Sequence, residues 1–201
     1  MTMGHPIIAS AAKFETSEIV ERLQNSGVNA TQLVVGVGLT QAAIISARLR
    51  DLVAGRDVFF CCTAGILGNF RNVELFTALG VDFAPVDVRT GQGYLVTNSE
   101  EKLMLNSLQL PLPACWVHNS ASISLKTEKS TKDLPVLETL ELYAVAKNWL
   151  PVAKSFTCVV AVTNAVGPDA HQQWKDHFRD AATLTADFLA NEIKVMGRRW
   201  S

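Results

Sequence analysis

Short apolar runs rich in β-branched residues alternate along this chain with longer segments of helical period. That alternation predicts an α/β protein whose largely parallel sheet is covered by helices on both faces. Ile7 to Ser10 reads as the first strand, and Ser17 to Gln24 as a helix with Ile19, Val20 and Leu23 on one face and Gly27 just past its end. Leu33 to Val37 follows as a buried strand. Thr40 is placed to cap a helix through Leu52, with Ala43, Ile44, Ala47 and Val53 as its apolar stripe and Gly55 as its stop. Asp57 to Cys62 is a third strand, Val73 to Leu79 fits a helix, and Val81 to Val88 a strand. Gly, Pro, Ser and Thr punctuate the stretch from Thr90 to Lys132, which predicts loops and short strands. Helical period returns from Leu137 to Trp149, and the run FTCVVAVTN makes a strand of Phe156 to Asn164. A long amphipathic helix from about Ala170 to Val195 would bury Trp174, Phe178, Ala181, Leu184, Phe188 and Ile193. The final MGRRWS resembles a solvated tail.

The length of 201 residues and 48% hydrophobic content suit one substantial core, so a single domain over residues 1–201 is expected. Only 18% of residues are charged and the net charge is -1, which leaves no basic field for nucleic acid or for an anionic membrane surface. No window approaches the apolar length of a membrane span, and the expected location is cytoplasmic. Cys61, Cys62, Cys115 and Cys158 lack the paired spacing of a structural zinc site and read as reduced core residues. Neither a metal nor a cofactor is called for.

Four segments carry candidate chemistry. VVGVGLTQAA, Val34 to Ala43, places two glycines after a strand and before a helix, which either brings backbone N–H groups to an anion or hydroxyl or simply turns the chain. It is not a dinucleotide fingerprint, because Gln41 occupies the third glycine position. FFCCTAGILG, Phe59 to Gly68, ends a strand in small residues, as a ligand lying against backbone requires and as an ordinary turn also does. In LETLELYAVA, Glu138 and Glu141 sit three apart on one face of the expected helix, either hydrogen-bonded to ribose hydroxyls or solvated. Asn164 stands at the C-terminal end of a buried strand, where its amide offers a donor and an acceptor to the edge of a 6-oxopurine or caps a turn. His118 falls in a loop and His171 and His177 on a helix, with neither triad nor metal spacing, so surface roles are expected. Phe70, Trp116 and Tyr143 are the aromatic candidates for stacking on a base.

In this order, AAKFE at Ala11 to Glu15, GVGLTQAA, CCTAG, the E-x-L-E at Glu138 to Glu141 and TNAVGPD running on to Trp174 resemble the nucleoside phosphorylase and nucleosidase superfamily. The resemblance covers nearly the whole chain, loosely from Phe70 to Lys132, and is closest to futalosine hydrolases. It implies a three-layer nucleoside phosphorylase-like fold with a central mixed, largely parallel sheet flanked by helices. It further implies that Glu15 activates a water and that Glu141, beside Leu140, binds the ribose. Asn164 would hold the leaving base, with the Thr63, Ala64 and Gly65 backbone placing the water. Methylthioadenosine and adenosylhomocysteine nucleosidases have aspartate at the Asn164 position. The implied activity is therefore hydrolytic release of hypoxanthine from a purine riboside, futalosine first, as in menaquinone biosynthesis. An adenosylhomocysteine-type nucleosidase and a non-catalytic nucleoside-binding paralogue stay open as alternatives. The partners implied are a small-molecule nucleoside and further copies of the chain in a homo-oligomer. Leu140 replaces the family's methionine, and Leu142 and Tyr143 replace its small residues, so Tyr143 is placed to fill or redirect the pocket.

Overall fold

The computed structural model describes residues 5–83, 102–125 and 133–197. Its eight-stranded sheet grows from β3 (Asp57–Ile66), a strand with three partners. β1 (Ile7–Ser10) runs parallel along its first half, pairing Ile7 with Val58 through Ser10 with Cys61, and β2 (Thr31–Val34) lies parallel outside β1. β7 (Val136–Thr139) takes the end of β3 in antiparallel fashion, Gly65 opposite Glu138. β8 (Ser155–Ala165) runs parallel along the whole of β3.

The remaining strands return the sheet to its start. β4 (Glu74–Phe83) pairs antiparallel with β8 and with β5 (Lys102–Met104), and parallel with β6 (Ala114–Asn119). β6 in turn lies parallel to β7. The path β3-β8-β4-β6-β7-β3 is thus a ring, and β1 and β2 extend from it as an open wing. The sheet is mixed, as the resemblance implies, but the ring closes part of it, so it is not the largely parallel sheet of a three-layer fold that the sequence predicts. Closure removes the unpaired edges of the ring strands, which an open sheet would have to protect.

Helices cover both faces. β3 sends Val58, Phe60, Cys62 and Ala64 to one core with Trp149 and Phe156, and Phe59 and Cys61 to another with Ile19, Leu23, Leu189 and Ile193. The first core lies under α2 (Leu39–Arg48), the short α3 (Arg50–Val53) and α4 (Leu142–Trp149). The second lies under α1 (Phe14–Gln24) and α5 (Ala170–Gly197). All four cysteines are buried and free. No helix among the described residues is long and apolar enough to cross a membrane.

Several elements differ from the sequence expectation. Residues 74–79 of the stretch expected as a helix at 73–79 belong to β4, because a short, mostly buried and mostly apolar strand matches a helical window equally well. Residues 137–149 split into β7 and α4, so Glu138 lies on a strand, Glu141 stands at the N-cap of α4, and the two share no helix face. All of β7 is buried between β3 and β6, and that tertiary pairing overrides the helical period. In α2 the inward positions are Ala42 and Ser46, whereas Ile44 and Ala47 face solvent. Buried polar contacts set this rotation: Asn148 Nδ2 donates to Ser46 Oγ at 2.7 Å, and Trp149 Nε1 to the Ser46 carbonyl at 2.7 Å. In α5, Ala181 and Ile193 are buried and Trp174, Phe178 and Phe188 half-buried, while Leu184 is exposed; Thr185, Ala186, Leu189 and Ala190 fill the core instead. His118 belongs to β6, where Nδ1 contacts Asp82 Oδ1. Residues 84–88 of the expected strand 81–88, residues 90–101 and 126–132 of the loop stretch, and tail residues 198–201 lie outside the described residues.

Candidate active site

The sequence after β2 ends in a glycine turn, with Gly36 and Gly38 at φ of 85° and 87°, a backbone that residues with a Cβ rarely adopt. Among the N–H groups that the turn presents, that of Gly38 donates to Glu141 Oε1 at 2.8 Å. The N–H that the loop offers is thus taken by the chain's own Glu141 carboxyl group. Glu141 is buried, which pushes its carboxyl up from the ordinary carboxylate range, and the Gly38 N–H opposes that push.

Glu15 sits in the first turn of α1, where unsatisfied N–H groups favour negative charge. The Ala12 N–H donates to its Oε2 at 2.9 Å, and the Thr63 N–H, from β3, to its Oε1 at 3.3 Å. Burial nevertheless dominates and, helped by the negative charge of Glu141, pushes the Glu15 carboxyl up to about 7. This side chain is therefore poised to exchange a proton near neutral pH.

Asn164 is placed by a break in the β3–β8 register. Ala64 pairs with Val162 and Gly65 with Asn164, so Thr163 is the extra residue of a bulge. Its hydroxyl donates to Asn164 Oδ1 at 2.8 Å, and Asn164 Nδ2 donates to the Ala165 carbonyl at 2.9 Å. A Cβ on Gly65 would lie 2.7 Å from Asn164 Nδ2 and 3.0 Å from Val166 Cγ2, so glycine is required there for the amide to lie across the strand.

Glu15, Glu141 and Asn164 line one cleft of about 340 Å³, together with Thr63, Ala64, Gly65 and Leu140. Every residue singled out as a site candidate by the resemblance is in that lining. Its remaining walls are mostly apolar, with Phe14, Val37, Ile123 and Trp174 among them. Among the described residues, no lysine or arginine lines it.

The aromatic expectations are corrected. Phe70 packs edge-on against His177, Trp116 donates its Nε1 to Asp82 at 2.8 Å, and Tyr143 stacks on Phe83; none of the three lines the cleft. Tyr143 therefore neither fills nor redirects it, and Leu142 is buried in the core. Among the described residues, the aromatic rings of the cleft are Phe14, Trp174 and His171, the last stacked on Trp174 at 6.0 Å. Helical period assigns Trp174 to a core stripe, and Phe14 and His171 carry no local signal, because the wall forms only where α1 and α5 meet. Glu138 also lines the cleft, accepting from Ser124 N at 2.9 Å and Ser120 Oγ at 3.2 Å.

No protein-family model and no curated protein sequence matches this chain. Solved structures do. The futalosine hydrolase of Helicobacter pylori strain 26695 matches with a TM-score of 0.70 at 13% identity, over 96% of this chain and 98% of that one. The 5′-methylthioadenosine/S-adenosylhomocysteine nucleosidase of Neisseria meningitidis, solved with methylthio-immucillin-A, matches at 0.74 and 17%, over 95% and 99%. A nucleosidase of the same kind from Chlamydia trachomatis matches at 0.74 and 15%, over 96% and 98%. Over 95–96% of its length, then, this chain matches the fold that futalosine hydrolase and the methylthioadenosine/adenosylhomocysteine nucleosidases share.

Proposed function

We propose that this chain is a nucleosidase that hydrolyses the N-glycosidic bond of a purine riboside, with futalosine as its substrate and hypoxanthine as the released base. The observation that carries this reading is the convergence of Glu15, Glu141 and Asn164, distant in sequence, on one cleft, with the Glu15 carboxyl held near 7. N-riboside cleavage passes through an oxocarbenium-like sugar, so a site must activate water, hold the ribose and receive charge on the departing base. Glu15 as the carboxylate takes a proton from water attacking the anomeric carbon. Glu141, oriented by the Gly38 N–H, accepts hydrogen bonds from the ribose hydroxyls, and Leu140 packs beside the sugar. Asn164 hydrogen-bonds the base as negative charge grows on its ring. Thr63 acts through Glu15, and Ala64 and Gly65 let the water and sugar approach the backbone. A phosphorolytic route would need cationic groups for phosphate, and the cleft lining supplies none among the described residues.

The test is release of free base from futalosine, inosine, methylthioadenosine and adenosylhomocysteine, assayed side by side without phosphate. Hypoxanthine from futalosine is the expected product. Faster cleavage of the adenine compounds would move the assignment to the methylthioadenosine/adenosylhomocysteine type, and no release from any would leave a nucleoside-binding protein. Light scattering on the same sample tests the homo-oligomer that the resemblance implies.

A further inference from the structure

In the aromatic wall of the cleft, the Trp174 indole has a single polar atom, Nε1. Its ring is fixed by stacking on Phe178 at 5.1 Å and 20°, by parallel contact with His171 at 6.0 Å, and by the edge of Phe14 at 6.4 Å. So held, Nε1 points at Thr63 Oγ1, 3.2 Å away on β3. An indole N–H can only donate, whereas a threonine hydroxyl has one proton to give and two lone pairs to receive. Having accepted from Trp174, the Thr63 oxygen must turn its own proton away from the indole. Glu15, whose carboxylate already accepts from the Thr63 N–H, is the acceptor that the same residue's hydroxyl can serve. A hydrogen bond from that hydroxyl would pull the Glu15 carboxyl down, against the burial that raises it.

We propose that Trp174 is a positioning residue: its N–H fixes the direction of the Thr63 hydroxyl proton, so that Thr63 grips the Glu15 carboxylate with both its N–H and its O–H. A phenylalanine would supply the same ring packing against Phe14, His171 and Phe178 but would leave the hydroxyl free to rotate. The consequence for catalysis rests on the reading of Glu15 as the water-activating base; the relay itself belongs to the unliganded protein and can be measured without turnover.

The experiment is a ¹³C NMR titration of glutamate-labelled protein, with the Glu15 resonance assigned by its loss in Glu15→Gln. Trp174→Phe should raise the Glu15 midpoint by about half to one pH unit, the worth of one ordinary hydrogen bond. Thr63→Val should raise it at least as far, and adding Trp174→Phe to Thr63→Val should move it no further. Thr63→Ser, which keeps the hydroxyl, should retain the wild-type midpoint. If the phenylalanine variant does not fold, benzothienylalanine at 174, which keeps both rings and lacks the N–H, takes its place. An unchanged midpoint in the folded 174 variant would overturn the proposal, as would an equal shift in the wild-type and Thr63→Val backgrounds, since the ring would then act by packing alone. A shifted midpoint in a protein that releases no base would sink the hydrolase reading and leave the relay standing; base release without the shift would do the reverse.

Discussion

Glu15 carries the strongest expectations at the scale of single residues. If its carboxylate is the base, kcat/KM for base release should rise with pH and level off above a midpoint of about 7. Glu15→Gln and Glu141→Gln should each lower turnover by roughly 100-fold or more while leaving a folded protein by circular dichroism. Wild-type-like turnover in either variant would remove that residue from the mechanism. Asn164→Asp should narrow or reverse a preference of roughly 5- to 150-fold for 6-oxopurine over 6-aminopurine ribosides, because a mispaired base leaves buried groups unsatisfied. The same change puts a carboxylate oxygen where Nδ2 now donates to the Ala165 carbonyl, so a lower melting temperature at neutral pH should accompany it. Glu141 and Asn164 were legible from their own segments, whereas Glu15 became a candidate only through the resemblance carried by AAKFE. The indole-to-Thr63 bond was not, since it joins residues 111 positions apart and a tryptophan on an amphipathic stripe reads as core.

The elements that were legible are those whose own pattern decides them: β1, α1, β8 and α5 fall close to the expected spans. β4 and β7 were not, because both are strands by virtue of what they pair with. β7 moves Glu138 off the face of Glu141 and sets Leu140 and Glu141 in the turn before α4, which is how Glu141 reaches the Gly38 N–H. The β3–β8 bulge belongs to the same class, as nothing in TNAVG announces that Thr163 is the extra residue. Its test is Gly65→Ala, which should push the Asn164 amide aside. Base release should fall more than 10-fold, with stability lowered by about 1–3 kcal/mol, as overpacking costs elsewhere. A crystal structure of that variant with Asn164 unmoved and activity intact would show that the amide does not depend on the missing side chain.

The molecule as a whole should show its buried carboxyls in the pH dependence of its stability. Glu15 has a folded value raised from 4.5 to about 7, so the folded state holds the proton more tightly and this residue's contribution to stability declines as pH climbs between those values. Glu141 is shifted in the same direction. Glu15→Gln removes the Glu15 contribution, and the variant should therefore be more stabilising, or less destabilising, at pH 8 than at pH 5 by about 2–3 kcal/mol. Denaturant unfolding at the two pH values measures this difference, and equal effects at both would mean that Glu15 titrates in the fold as it does in the unfolded chain. The ring of strands has a further consequence for a chain leaving the ribosome. β3 must hold its place until β7 and β8, made some 70 and 90 residues later, arrive to flank Gly65. A nascent chain that ends at β4 owns Glu15 and Thr63 but neither Glu141 nor Asn164, so closing the ring of strands and assembling the cleft are one event.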